Sequence, residues 1–336
     1  MFACSMRKAK KPTKGNHFLP ITYLRHFLHD EKLVMYKKGE KFFTGTSTPA
    51  DRIVVVSGEG GLKAVAKQNN LYTLKGVEGV ESDFMEQFFV DLIEGELNYL
   101  IQEIDKLPFG SPISNELKQK ICILMASMVV RVPGAKRETE ELYTEFFKMH
   151  FQHVPMSEEE KTAIKEQVKK EEGRKISDKD LEDAIQAFAD GKLKLSVSSN
   201  LFVKDILSRI DDFANIFYGM KMCIVRGDGN NLFITTDNPV AYFVPKDKVD
   251  FYNAPRSLMS KYTEVNFPLT KDYCIIMTRM DDMHEMMLPT TQEICDRLEN
   301  TISCFSRDFI FSPVRKIILD DFAKEYIPYC FKLVKS

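Results

Sequence analysis

The uncharged run at residues 121–130, Ile-Cys-Ile-Leu-Met-Ala-Ser-Met-Val-Val, constrains the fold more than any other stretch of this chain. Wound as a helix it is apolar on every side, so other elements must surround it. The expected helix spans residues 113 to about 132. Arg131 follows the run directly. If its guanidinium points inward it needs a carboxylate or a set of carbonyls, because a lone buried charge costs several kcal/mol. Val132-Pro133-Gly134 should end or kink the helix, with residues 139–151 resuming it.

A core helix of this kind needs a large chain around it, and 336 residues with 44% apolar content supply one. Lys plus Arg number 47 against 49 Asp plus Glu, so the net charge of -2 exerts no global pull on nucleic acid or an anionic surface. Any such partner must be held by a local patch. The seven cysteines are odd in number, scattered and without a Cys-x-x-Cys pair; Cys122 reads as a small buried hydrophobe. With no signal-peptide pattern and no apolar run long enough for a bilayer, we expect a soluble cytoplasmic protein without a membrane partner.

Residues 1–14 carry Arg7, Lys8, Lys10, Lys11 and Lys14 and read as a basic flexible arm. It is either a solvated terminus or a tether for RNA or DNA. Next, Pro20 sets the start of a helix through Ile21, Leu24 and Leu28, and His17 stands just ahead of it. Unpaired helix amides disfavour an imidazolium, so His17 is expected to stay neutral and able to accept a proton. Short strands are expected at 33–36, 42–44, 53–56 and 71–74. Between them, Ser57-Gly-Glu-Gly-Gly-Leu-Lys63 has neither the Walker nor the dinucleotide glycine spacing and reads as a turn.

Residues 80–106 form an amphipathic helix on which Glu86 and Glu94 lie within about 80° of each other. Both could approach one neighbour. The charged segment 156–192 reads as a helical insert, with Ser157 and Glu160 resembling a capping box and Ser177 starting a second helix. It offers a surface for a protein partner. After a helix at 197–218, strands at 220–226 and 232–236 joined by Gly227-Asp-Gly-Asn-Asn231 read as a hairpin. Further strands at 241–244, 264–267 and 274–278, and a helix at 290–305 capped by Thr290, complete an α+β domain over residues 15–336. Its helices pack around a mostly antiparallel sheet.

Asn16-His-Phe-Leu-Pro20 with Tyr23-Leu-Arg-His-Phe27, and Thr235-Thr-Asp-Asn-Pro-Val240, resemble the paired boxes of the domain-of-unknown-function family 4238. Glu86 and Glu94, Arg131-Val-Pro133 and Asn266-Phe-Pro-Leu269 are similar to further family segments in the same order. The resemblance covers residues 14 to 312, with Thr236 in place of the usual serine. It implies a grouping and a set of positions, without an activity.

Those positions admit two readings. In the first, His17 is a base, Asp237 with Asn238 completes the catalytic set, and Arg131 and Lys14 hold a phosphate. Glu86, Glu94 and Asp237 would bind a divalent metal such as Mg²⁺. That set suits hydrolysis of a phosphate ester, possibly in nucleic acid. In the second, the same polar residues serve the fold of a non-catalytic binding or assembly protein, Asp237 and Asn238 as turn formers before Pro239. No nucleophile elbow, His-Glu-x-x-His or Cys/His zinc spacing offers a third.

Overall fold

The computed structural model describes residues 15–37, 53–74 and 84–319. Strand β1 (Gly15–His17) leads into the short helix α1 (Ile21–Arg25). Pro20 sits at the N-cap of α1, where its φ of -58° and ψ of 139° supply the non-helical backbone that a cap requires. Strands β2 (Lys32–Lys37) and β3 (Ile53–Ser57) lie where β-branched runs are expected. Instead of a turn, β3 opens into the five-residue helix α2 (Gly58–Leu62). Gly61 permits it: a Cβ there would stand 2.8 Å from Val56 Cγ1, so only glycine lets this helix fold so closely onto the strand. Strand β4 (Lys67–Asn69) follows, and residues 71–74, expected as a strand, are irregular, with Leu71 and Tyr72 buried individually. The basic arm and the run 42–44 lie outside the described residues.

The helix expected at 80–106 is α3 (Phe84–Phe89), a π-helical turn at Val90–Glu94, and α4 (Gly95–Asp105). The π turn interrupts the 3.6-residue period, so the angle between Glu86 and Glu94 on a regular helix does not carry over. Helix α5 (Asn115–Val130) contains the uncharged run, and its residues from Leu124 to Val130 are all buried. Cys122 within it is buried too, which pushes its thiol up to about 12. Helix α6 (Pro133–His153) begins at Pro133 and not at 139: proline at the first helical position needs no donor, so the break falls at Arg131 and Val132. Helices α7 (Glu158–Glu172) and α8 (Asp178–Ala189) both start with reciprocal capping boxes, Ser157 with Glu160 and Ser177 with Asp180. Helix α9 (Ser199–Tyr218) packs along α5.

The remaining elements are β5 (Lys221–Arg226), β6 (Thr235–Thr236), β7 (Ala241–Phe243), β8 (Glu264–Pro268), β9 (Tyr273–Thr278), β10 (Met287–Pro289), α10 (Gln292–Phe305) and β11 (Phe309–Ser312). They complete two sheets. One has the order β10-β5-β9-β8-β7, antiparallel apart from the parallel β10–β5 pair; the other, β3-β2-β11-β6, is antiparallel throughout. A separate pair joins β1 to β4, with His17 opposite Lys67.

The hairpin expected from β5 to β6 does not form, because the two strands belong to different sheets. Asp228 Oδ1 accepts from the amides of Asn230 and Asn231 and turns the chain, while Leu232, Phe233 and Ile234 are all buried. A half-exposed hairpin strand would alternate; this run enters the core instead. At α10 the cap is Thr291, accepting from Ile294 N, since the amide of Thr290 is held by the carbonyl of Arg226. Val34 and Tyr36 of β2, Cys223 and Val225 of β5, Ile276 of β9 and Leu298 and Ile302 of α10 share one core cluster.

The fold is therefore α+β, with helices packed around mostly antiparallel sheets. The described residues divide into two compact units, one up to Gly134 and from Ser199 onward, the other Ala135–Ser198. The charged segment 156–192 falls within the second. Among the described residues no helix is long and apolar enough to cross a membrane.

Candidate functional site

His17 occupies the last position of β1, and its half-buried imidazole places Nε2 3.3 Å from the carbonyl oxygen of Lys63. A neutral ring must carry its proton on the nitrogen that faces a carbonyl, which leaves Nδ1 as the basic atom. Burial is the main cause that lowers the His17 pKa below the ordinary 6.5; the Lys63 carbonyl and Glu86 oppose it, and Lys67 and Arg131 add to it. The ring is thus held toward neutrality, by desolvation more than by helix amides.

Arg131 is the C-cap of α5, only 3% exposed. Its Nη2 donates to the carbonyl oxygen of His17 at 2.9 Å, and the guanidinium carbon stands 4.3 Å from the centroid of the Phe89 ring. Among the described residues, the buried Nε and Nη1 meet no hydrogen-bond acceptor. The Arg131 carbonyl accepts from the buried hydroxyl of Tyr72. The expected inward arginine is therefore present, and one carbonyl, one aromatic face and the neighbouring Tyr72 hydroxyl answer a group with five N–H donors.

Glu86 enters the same neighbourhood through Asn16. Glu86 Oε1 accepts from Asn16 Nδ2 at 2.9 Å, while Asn16 Oδ1 accepts from the amide of Tyr72 at 3.2 Å and the hydroxyl of Thr73 at 3.4 Å. Residues 16 and 17, 72 and 73, 86, 89 and 131 form one polar and aromatic cluster where β1 meets α3 and the end of α5. The buried Asn16 fixes the position of β1, and so of the His17 ring.

Asp237 and Asn238 are bonded at another connection of the chain. Oδ1 and Oδ2 of the buried Asp237 accept from the amides of Arg307 and Asp308, at 2.9 and 2.7 Å. The Asn238 amide donates to Thr236 Oγ1, and its Nδ2 to the carbonyl of Phe305. The pair is built into the connection between α10 and β11. The charges acting on His17 are Glu86, Lys67 and Arg131. Lys14 and the side chain of Glu94 lie outside what the structure describes. Among the described residues, no three His, Cys, Asp or Glu are gathered as a metal ion requires.

The family model described as "Protein of unknown function (DUF4238)" matches residues 16–313. The chain belongs to the DUF4238 family. No curated protein and no solved structure matches it. Three DUF4238-like segments far apart in sequence meet at one buried hydroxyl. Tyr23 donates to the carbonyl of Pro268 and so accepts from Thr235 Oγ1, at 2.8 Å, while its ring stacks on Phe267 with centroids 5.9 Å apart. A carbonyl can only accept, which fixes the direction of both bonds. These boxes hold α1, β6 and β8 together.

Tyr72, Phe89 and the Lys63 carbonyl have no signal in the sequence that marks them as site residues. Tyr72 stands in a run that reads as a strand, and Phe89 in a segment that reads as an amphipathic helix. Asn16 could have been found, as the polar first residue of the box that contains His17.

Proposed function

We propose that this DUF4238 protein is a hydrolase acting on a phosphate ester, with the ligand's phosphate received by Arg131 and His17 serving as the base. Its single support is the pairing of an incompletely partnered, buried guanidinium with a neutral, oriented imidazole whose ring belongs to the residue that the guanidinium grips. A buried N–H left without an acceptor costs about 1–3 kcal/mol, so an anion that meets Arg131 Nε and Nη1 recovers what the fold leaves unsatisfied. His17 Nδ1 takes a proton from water as that water attacks phosphorus and the ester P–O bond breaks; Glu86 stabilises the resulting imidazolium, which returns the proton to the departing alcohol oxygen directly or through solvent. Asp237 stays outside the reaction. Glu86 is the carboxylate of this cluster that a divalent ion such as Mg²⁺ would use.

The test is hydrolysis of mono- and bis(p-nitrophenyl) phosphate and of a labelled single-stranded oligonucleotide, each with and without Mg²⁺. His17→Ala should lose the activity, recover part of it with added imidazole, and melt close to the parent. Arg131→Lys should lower kcat/KM at least tenfold, about 1.4 kcal/mol of transition-state stabilisation. Absence of hydrolysis with all substrates, or hydrolysis untouched by His17→Ala, removes the proposal.

A second reading, a non-catalytic binding or assembly protein, draws on Asp237, Asn238 and Tyr23, whose polar atoms hold connections and strands together.

A further inference from the structure

The face of β1 that carries His17 meets a lysine from β4. In the β1–β4 register His17 stands opposite Lys67, and Gly15 opposite Asn69. Opposite residues of an antiparallel pair share a face, as do residues two apart on one strand, so the imidazole, the Lys67 and Asn69 side chains and the bare Gly15 form one small platform. Lys67 is exposed, and among the described residues no carboxylate pairs with it. Its stem crosses to β1: Lys67 Cδ lies 3.4 Å from the position that a Cβ at Gly15 would take, and Asn69 Oδ1 lies 3.8 Å from it. A side chain at residue 15 would fill that floor, and glycine leaves it open.

Arg131 approaches β1 from the other side. The Phe18 amide donates across to the Ala66 carbonyl at 2.9 Å. Backbone groups alternate in direction along an antiparallel strand, so the His17 carbonyl points off the far edge of β1, where Arg131 Nη2 meets it. At about 3.3 Å per residue, the Lys67 stem over Gly15 and the guanidinium beyond His17 stand on the order of 10 Å apart, with the imidazole between them. Both cations act on that ring. The gap is wider than one phosphate.

We propose that Lys67 holds the phosphate next to the one that Arg131 receives, and that the substrate is a single strand of RNA or DNA. This rests on the hydrolase reading above and names its substrate class. The two phosphorus atoms of a diphosphate share one oxygen and lie too close together to meet both cations, whereas a sugar separates successive phosphates of a nucleic acid strand. Arg131 is only 3% exposed, so its phosphate must leave the surface, which a flexible single strand permits and a stiff duplex resists.

Fluorescence anisotropy of a labelled oligothymidylate, titrated with the full chain at a series of NaCl concentrations, tests this. The parent should bind it, with an affinity that falls as salt rises. Lys67→Gln should weaken binding at least threefold at low salt and make the slope of log affinity against log salt concentration shallower by about 0.7, the share of one phosphate contact in a single strand. Lys67→Arg keeps the charge and should keep both. The side chain is exposed, so both variants should melt with the parent. A Lys67→Gln chain that matches the parent in affinity and salt slope, or a parent that does not bind the oligonucleotide, overturns the inference. So does thymidine diphosphate that binds as tightly as the strand. Titrating the parent with inorganic phosphate tells the two failures apart: saturable phosphate binding beside any of these results keeps Arg131 as a phosphate site and removes only the role of Lys67.

Discussion

The hydroxyl of Tyr23 and that of Thr235 lie 2.8 Å apart across 212 residues of sequence, inside the core. The bond ties the helix that follows the His17 box to the strand that precedes Asp237 and Asn238. Tyr23→Phe deletes one hydroxyl and leaves the Pro268 carbonyl and Thr235 without their buried partner. The expected cost is about 1–3 kcal/mol of unfolding free energy, read as a lowered urea midpoint at unchanged m. Equal midpoints would mean that this contact contributes nothing.

Asp237→Asn separates an architectural carboxylate from a catalytic one. The amide keeps one acceptor oxygen and turns an NH₂ toward a backbone N–H of Arg307 or Asp308, so one buried donor loses its partner. We expect destabilisation of about 2 kcal/mol or more. A variant as stable as the parent but inactive would assign Asp237 to the chemistry.

Acid should weaken the fold through its half-buried histidines. The pKa values of His17 and His26 are both lowered from 6.5, burial being the largest cause in each. Between the folded and unfolded pKa values the unfolded chain binds more protons, so stability rises with pH there. It is complete above 6.5 and declines as pH falls below it, until the folded pKa values are passed. Chemical denaturation across this window should show the decline, and His17→Gln should make it shallower.

The second compact unit offers a local check. Ser157→Ala removes a hydroxyl that accepts from Glu160 N and donates to Glu160 Oε2, leaving only the backbone amide of residue 157 to hold the Glu160 carboxylate. About 1 kcal/mol should be lost, appearing as faster hydrogen exchange at the start of α7 with little change in the strands.

Much of this architecture is legible from local patterns. The uncharged run gives α5, the capping residues give the starts of α7 and α8, and β-branched runs give β2, β3 and β9. What escapes is non-local. The glycine-rich loop after Arg226 looks like a hairpin turn, yet which sheet β6 joins depends on β11, more than 70 residues onward. In the site, His17 and Arg131 can be picked out as an unusual histidine and a charge at the edge of a core helix. That the guanidinium would grip the His17 carbonyl, and that Asp237 would face the amides of Arg307 and Asp308, depends on contacts that no periodicity records.

The central claim is that Arg131 receives a phosphate, and titration of inorganic phosphate into the full chain, followed by calorimetry, measures it most directly. We predict saturable binding of one phosphate per chain, weakened at least tenfold in Arg131→Lys measured at a temperature where that variant is fully folded. Saturation that is identical in parent and variant, or no binding to the folded parent, would contradict it.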